Sequence, residues 1–521
     1  MSCSRFASRA VRAAEAPDCP WPHRRIVFGE HNSLNPIGFV LVSFGQCCPP
    51  IRGKSMRTDV IVGVDFGSSR IKVAAYDGEG RPVASAESPT PKRSGTEGDG
   101  FLVLAMIDAA IDLVRSLALP PGSIAAVGLS SMGEAGTLID HSGALVDLAF
   151  PTWYDPRGAD VIARIEDTFG SDDLTVRTGH HTHVASTLAK LGHVAAQTDS
   201  PLEGSFVGLC AALAWRLTGE ITQEAGLAVT SGVYDSARGE YLDDVWAAAG
   251  LGGVALPRVA PAGFGHPART RLAKELGLAE GAPVVIAGHD HPVAAVGAGM
   301  RANEVGDSMG TGEALIAVMR SDLARDDGHC ARVLRSDPDL TFEVWPATGE
   351  RLVVWERMRP GLAMQAFLDH SGLDRNTVDR AAPPPHPVDR VEHATARILE
   401  LGGSADLPPT PDSWAAIIDH YVLVANEGQK ALRDATGADG ITLLTGGGLR
   451  SERWRRSKAL LATPPLAVPT VRETATRGAA AITGATIGWW PDAESMPGAQ
   501  RIDLRPGSLG DMDRAVGGIF S

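Results

Sequence analysis

Beyond its first tenth the sequence is short of cysteine. Cys3, Cys19, Cys47 and Cys48 lie before Met56, leaving only Cys210 and Cys330 in the rest of the chain. Two scattered cysteines make no disulfide framework, so the main body reads as cytosolic, with a cytoplasmic location expected. No apolar run approaches the roughly 18–20 residues that span a bilayer, so no membrane association is expected. Basic charge is scarce too. The 48 Lys and Arg against 62 Asp and Glu give a formal net charge of −14. That argues against nucleic acid as a partner, since such surfaces are usually basic. The pattern GxxxxGK[ST] is missing, which excludes a P-loop. Asp65-Phe66-Gly67 spells the magnesium motif of protein kinases, but no HRD loop and no glycine-rich loop with a following lysine accompanies it. We therefore read it as a coincidence of letters.

What is present is globular. The 521 residues are 44% apolar and 21% charged, enough for two or three domains with their own cores. Residues 1–55 stand apart, with seven Lys or Arg against three Asp or Glu and poor periodicity. A targeting peptide or a disordered arm would fit this stretch. We favour a third reading, in which Met56 is the true start, because the organised pattern begins immediately after it.

That pattern opens with Asp59 to Asp77, DVIVGVDFGSSRIKVAAYD. Two β-rich runs around Gly67-Ser68-Ser69 predict a hairpin. A turn of such small residues can aim backbone N–H groups at a phosphate, and Asp65 at its mouth can hold a metal ion. An ordinary hairpin with a capping Asp explains the stretch equally well.

Further along, the predicted elements alternate. A third strand spans Arg81 to Ala86, a helix Phe101 to Leu119 and a strand Ile124 to Ser130. The turn Met132-Gly133-Glu134 follows. Such alternation indicates an α/β fold with mixed sheets. The segment Pro151 to Arg157, PTWYDPRG with Gly158, suits a sugar through Trp153, Asp155 and Arg157, and equally suits a packed turn. His180, His181 and His183 read as a polar loop, since no cysteine or carboxylate stands nearby to complete a zinc site. Pro283 to Ala287 is a strand delivering Gly288-His289-Asp290-His291, with a helix from Val293 to Gly299. An Asp at a strand-to-helix junction suits catalysis or an N-cap. Asp307 to Gly312 echoes the first turn, with Gly310-Thr311-Gly312 before a strand, which suggests a duplicated domain. Ile441 to Leu444 then leads into Gly446-Gly447-Gly448, and a small-residue helix suited to close packing spans Gly478 to Gly488.

Taken in order, DFGSS, LSSMGEAGTLID, PTWYDPRG, AGHDHPVAAVGAG with SMGTG, and TGGGLRSERW with RGAAAITGA resemble the FGGY carbohydrate kinases of the actin-like ATPase superfamily. The resemblance covers about Asp59 to Trp490. It implies two ribonuclease H-like domains with mixed sheets flanked by helices and a cleft between them. The implied boundaries are 57–299 and 300–490, with 1–56 an extension and 491–521 a tail.

The resemblance also implies roles: ATP and magnesium as cofactors, a small sugar as partner, and a homodimer as a frequent family form. Asp65 and Asp290 would serve the metal, and Asp290 would be the general base for a sugar hydroxyl. Gly67, Ser68, Ser69, Gly310, Thr311 and Gly312 would bind phosphates, and Gly446, Gly447 and Gly448 would line the adenosine pocket. Glu134, Trp153, Asp155 and Arg157 would face the sugar. Ketoses, ketopentoses first, lead as acceptors, followed by sugar alcohols and aldonates. The rival from another class is a non-catalytic sugar sensor, which would not need Asp290. Gly133 stands where the glycerol kinase pattern has Arg, which counts against glycerol.

Overall fold

A computed structural model describes residues 59–95, 98–385, 407–463 and 465–504. The extension 1–56 lies outside these residues, as does the tail beyond 504.

The first sheet grows from the predicted hairpin. Val60–Phe66 (β1) is wholly buried, and Arg70–Tyr76 (β2) pairs antiparallel with it. Pro82–Pro89 (β3) adds to β2, also antiparallel. Val103–Ser116 (α1) buries Val103, Met106, Ile107, Ala110, Ile111 and Val114, the spacing of one helical stripe. Ile124–Ser131 (β4) then pairs parallel with β1. After helices Thr187–Ala196 (α2) and Leu209–Thr218 (α3), the edge strand Gly265–Pro267 (β5) precedes Pro283–His289 (β6). The resulting order is β5-β6-β4-β1-β2-β3. Helix Asp290–Gly297 (α4) leaves β6 without a break, so it starts three residues earlier than predicted.

The second sheet repeats the scheme. Val305–Met309 (β7) and Glu313–Val318 (β8) form its hairpin, and Leu340–Val344 (β9) and Arg351–Met358 (β10) extend it antiparallel. Helices Pro360–Ser371 (α5) and Pro411–Thr436 (α6) follow. The latter is well specified: Thr410 caps its start, Pro411 opens its first turn and Gly437 ends it with φ of 74°. Thr442–Thr445 (β11) and, after Glu452–Leu461 (α7), Leu466–Pro469 (β12) pair parallel, β11 with β7 and β12 with β11. Helix Thr474–Thr486 (α8) follows, and Arg501–Leu504 (β13) closes the far edge antiparallel to β12. The order is β9-β10-β8-β7-β11-β12-β13.

Set side by side, β3-β2-β1-β4-β6-β5 and β10-β8-β7-β11-β12-β13 have the same directions strand by strand. The duplication expected from the two similar turns is thus present in the topology. The edges differ: β5 precedes its neighbour whereas β13 follows its own, and β9 adds a seventh strand outside β10.

The two halves meet through α4 and α8, the equivalent helices of each. Gly297 and Gly478 make the crossing possible: a Cβ on Gly297 would collide with the Thr474 carbonyl, and one on Gly478 with that of Val293. Gly63 in β1 and Gly128 in β4 admit α8 to the first sheet in the same way. Burial of Val293, Val296, Ala479, Ala480 and Ile482 fills the space around the crossing.

Candidate active site

The parallel register aligns the first group of site residues. Asp65 in β1 stands opposite Ser130 in β4, and Ser130 stands opposite Gly288 in β6. One residue further, Phe66, Ser131 and His289 form the next row, and Asp290 begins α4. The carboxyl ends of adjacent parallel strands, where an open α/β sheet places its ligands, thus hold both predicted aspartates.

Asp65 is buried, and its Oδ1 has no hydrogen-bond partner among the described residues. Burial, and then the facing Asp290, push its pKa up to about 8, while Lys72 acts in the other direction. Lys72 is itself held 2.7 Å from Glu473, just before α8. An orphaned buried carboxylate oxygen facing a second carboxylate is a donor set that fits a divalent cation, which favours oxygen ligands. No group of three or more His, Cys, Asp or Glu poised for a metal occurs among the described residues.

Asp290 occupies the first turn of α4 and accepts from the His291 N–H at 2.7 Å through Oδ1. His289 is buried, with Nδ1 3.1 Å from Glu343 Oε1 and Nε2 3.4 Å from Asp290 Oδ1. Burial opposes charge on this imidazole. Glu343, its hydrogen bond, Asp290 and Glu134 outweigh burial and raise the pKa well above the usual value. Glu134 turns toward the same place. Burial raises it to about 7 against the pull of His289.

The two glycine turns share a plan. Gly67 N–H closes the first turn on the Arg70 carbonyl at 3.0 Å, and Thr90 clamps it from outside, its hydroxyl 2.7 Å from the Gly67 carbonyl. Gly310 N–H closes the second on the Gly312 carbonyl at 3.0 Å. Among the described residues the amides of Ser68, Ser69, Thr311 and Gly312 have no main-chain acceptor, the requirement for a phosphate cradle.

In the third glycine loop the roles divide. A Cβ on Gly446, with φ of 91°, would strike the Met309 carbonyl, and one on Gly448 would crowd Met309 and Trp454. Both therefore serve the packing of this loop against β7. A Cβ on Gly447 would meet nothing within 4 Å among the described residues.

Of the predicted sugar residues, Trp153 reaches across the cleft. A Cβ on Gly312 would lie 3.6 Å from Trp153 Cη2, and the Arg359 guanidinium lies 5.4 Å from the indole centroid. Asp155 and Arg157 are bonded to one another, with Arg157 Nε 2.8 Å from Asp155 Oδ1. Beneath them sits Lys190 of α2, fully buried, whose Nζ donates to the carbonyls of Asp155 and, at 3.0 Å, Arg157. His180 and His183 bond within their own loop, to the His181 carbonyl and the Ala185 N–H.

Sequence reasoning missed Lys72, Lys190, Glu343 and Lys458. The last is buried in α7 and binds both acids flanking the second turn, Asp307 at 2.7 Å and Glu313 at 2.5 Å. Local sequence carries no signal for Lys458, since α7 also holds Glu452, Arg453, Arg455 and Arg456.

Comparison with known proteins agrees with this geometry. Residues 60–297 match the N-terminal domain of the FGGY family of carbohydrate kinases. The chain is 30% identical to the L-fuculokinase of Salmonella typhi over 271 residues, half of this chain and 57% of that protein. It thus spans a little over half the length of that relative. It is 26% identical to the xylulose kinase of Streptomyces rubiginosus over 436 residues, 81% of this chain and 87% of that one. The crystal structure of ligand-bound xylulose kinase from Lactobacillus acidophilus has the same fold, with a TM-score of 0.69 at 16% identity, covering 89% of this chain and 97% of that one. Among the described residues no helix is long and apolar enough to cross a membrane.

Proposed function

Since the chain belongs to the FGGY family of carbohydrate kinases, we propose that it transfers the γ-phosphoryl group of ATP to a hydroxyl of a small sugar. The observation that carries this reading is the row Asp65, Ser130, Gly288 with Asp290 next to it, at the carboxyl ends of three adjacent strands. A sensor has no need of a carboxylate there.

The roles follow from position. Asp290 accepts the proton of the attacking hydroxyl as the new O–P bond forms and the bond to the leaving ADP breaks. The free amides of Ser68, Ser69, Thr311 and Gly312 hold the phosphates from both sides, and Gly447 leaves room for adenosine. Asp65, with Asp290, would hold magnesium, which supplies positive charge beside the phosphates. Trp153 offers an apolar face to the sugar and Glu134 an acceptor for its hydroxyls. The Asp155–Arg157 pair shapes the turn that carries Trp153.

Ketoses, ketopentoses first, are the proposed acceptors, in keeping with relatives named for L-fuculose and xylulose. The proposed domains are 57–299 and 300–490, with β13 extending the second sheet from the tail. A cytoplasmic location fits the unpaired, buried Cys210 and Cys330. A homodimer remains an inference from the family.

The test is ADP release by the purified protein with magnesium-ATP across ketoses, sugar alcohols and aldonates, repeated on Asp290→Asn. Release that depends on one sugar and falls about 10²- to 10⁴-fold in the variant is expected. ATP turnover indifferent to every sugar, or full activity in Asp290→Asn, would sink the reading.

A further inference from the structure

Asp290 lies between two histidines, and each of them grips the second sheet. His289 Nδ1 stands 3.1 and 3.2 Å from the two oxygens of Glu343 in β9. His291 Nδ1 stands 3.0 Å from Ser308 Oγ in β7, two residues before the second glycine turn. The two rings lie 5.7 Å apart and nearly perpendicular. Both links cross from the strand-to-helix junction of one half to strands of the other.

The consequence falls on the two oxygens of Asp290. Oδ1 accepts the His291 N–H at 2.7 Å, faces His289 Nε2 at 3.4 Å and has His291 Nε2 at 3.9 Å. Oδ2 has no partner in the protein among the described residues. A carboxylate only accepts hydrogen bonds, so His289, with a carboxylate at each ring nitrogen, holds both protons: Nδ1–H donates to Glu343, and Nε2–H is turned toward Asp290 Oδ1 as an ion pair. Glu343 is itself 4% exposed. A buried carboxylate with one aromatic donor held at nearly equal distance from both oxygens has little freedom to turn.

We infer that Glu343 and His289, with His291 and Ser308, act as positioning residues that anchor Asp290 Oδ1 and leave Oδ2 as the oxygen that takes the sugar proton. The inference rests on the kinase reading and deepens it: the base of one half is set by side chains of the other. In the step itself, the sugar O–H proton passes to Oδ2 and the sugar oxygen bonds to the γ-phosphorus. The bond from that phosphorus to the β–γ bridging oxygen breaks, and ADP leaves with the electron pair. Asp290 is left as the neutral acid until it returns its proton to solvent.

Because geometry governs such a step steeply, a displaced base costs rate rather than binding. Steady-state kinetics of the full chain on the sugar that the wild type phosphorylates provide the first arm. Glu343→Ala should lower kcat about ten- to a hundredfold, with KM for ATP and sugar changed by less than about threefold. Glu343→Gln, which keeps an acceptor for Nδ1–H, should recover most of the loss. His289→Gln combined with Glu343→Ala should be no slower than His289→Gln alone, because Glu343 acts through His289. A loss confined to KM, equal effects of Ala and Gln at position 343, or multiplying losses in the double variant would overturn the inference.

The second arm needs no turnover. In histidine-¹⁵N-labelled protein, a low-field imidazole N–H resonance should be present, absent from His289→Gln and lost in Glu343→Ala. Its absence from the wild type would overturn the link. If no sugar supports turnover while the resonance behaves as expected, the base assignment falls with the kinase reading and the Glu343–His289 link alone stands.

Discussion

Lys458 Nζ lies 2.5 Å from Glu313 Oε1, and neither side chain is exposed to solvent. The same ammonium lies 2.7 Å from Asp307, so one cation serves the two acids that bracket the second glycine turn. Its charge is maintained by both carboxylates, which raise its pKa against the effect of burial. Asp307 Oδ1 and Glu313 Oε2 have no hydrogen-bond partner among the described residues.

Replacing Lys458 by Met keeps the length of the side chain and removes the charge. Two buried carboxylates are then left without a cation, a change that typically costs about 3–5 kcal/mol. Urea unfolding of Lys458→Met should show a loss of that order. Glu313→Gln should be much milder, since one carboxylate still faces the lysine. Equal stability of Lys458→Met and wild type would show that the triad is not paired in solution.

Lys190 performs a comparable task under the sugar turn, with carbonyls as its partners. Burial lowers its pKa to about 8, with Asp155 acting against the shift. Lys190→Met leaves the carbonyls of Asp155 and Arg157 without this donor, at a cost of about 1–3 kcal/mol for each group left unsatisfied. We expect a weaker sugar affinity, read by calorimetry, with ATP affinity retained. A variant that binds both ligands as the wild type does would separate Lys190 from the turn.

These two lysines also mark the boundary of what the sequence discloses. Asp65 and Asp290 are legible because each ends a run of strand-forming residues beside glycine, and parallel strands bring such ends together. The repeated turns and the glycines of the α4–α8 crossing are legible for the same reason, since local composition demands them. Lys458 is not legible: its partners lie 145 and 151 positions away, and no local pattern announces a pairing of that span. Glu343 likewise sits in an ordinary strand. Asp155 and Arg157 show the converse, two polar residues whose types suit a sugar and whose geometry closes them on each other.

Glu224 offers a test by pH. It is buried beside Gly288, its Oε2 accepting the Leu227 N–H at 3.1 Å while Oε1 lacks a partner among the described residues. Burial raises its pKa from 4.5 to about 7, with Glu343 adding to the shift and His289 opposing it. A raised folded-state pKa means that the folded protein holds the proton more tightly than the unfolded chain. This contribution to stability is complete below about pH 4.5 and is lost as pH rises through about 7. Its size is on the order of 3 kcal/mol. Glu224→Gln keeps the acceptor for Leu227 and removes the titration. Its stability should therefore fall less than the wild type's between pH 5 and 9, as followed by urea unfolding at each pH. Parallel curves for the two proteins would remove Glu224 as the source.

The third glycine loop separates packing from binding within three residues. Gly446 combines a φ of 91° with direct contact on the Met309 carbonyl, so Gly446→Ala must move the loop away from β7. Overpacking of this kind costs about 1–3 kcal/mol. Among the described residues no atom lies within 4 Å of where a Cβ on Gly447 would stand, so Gly447→Ala should leave stability within about 0.5 kcal/mol. If adenosine occupies that open space, the methyl group meets the nucleotide instead of the protein. Its effect should then appear as a raised KM for ATP, with the KM for sugar unchanged. A Gly447→Ala protein with wild-type ATP kinetics would place the nucleotide elsewhere, whereas a destabilised one would mean that the loop packs more closely in solution. The paired comparison assigns one glycine to the fold and its neighbour to the ligand, because the same added methyl group meets backbone in the first case and open space in the second.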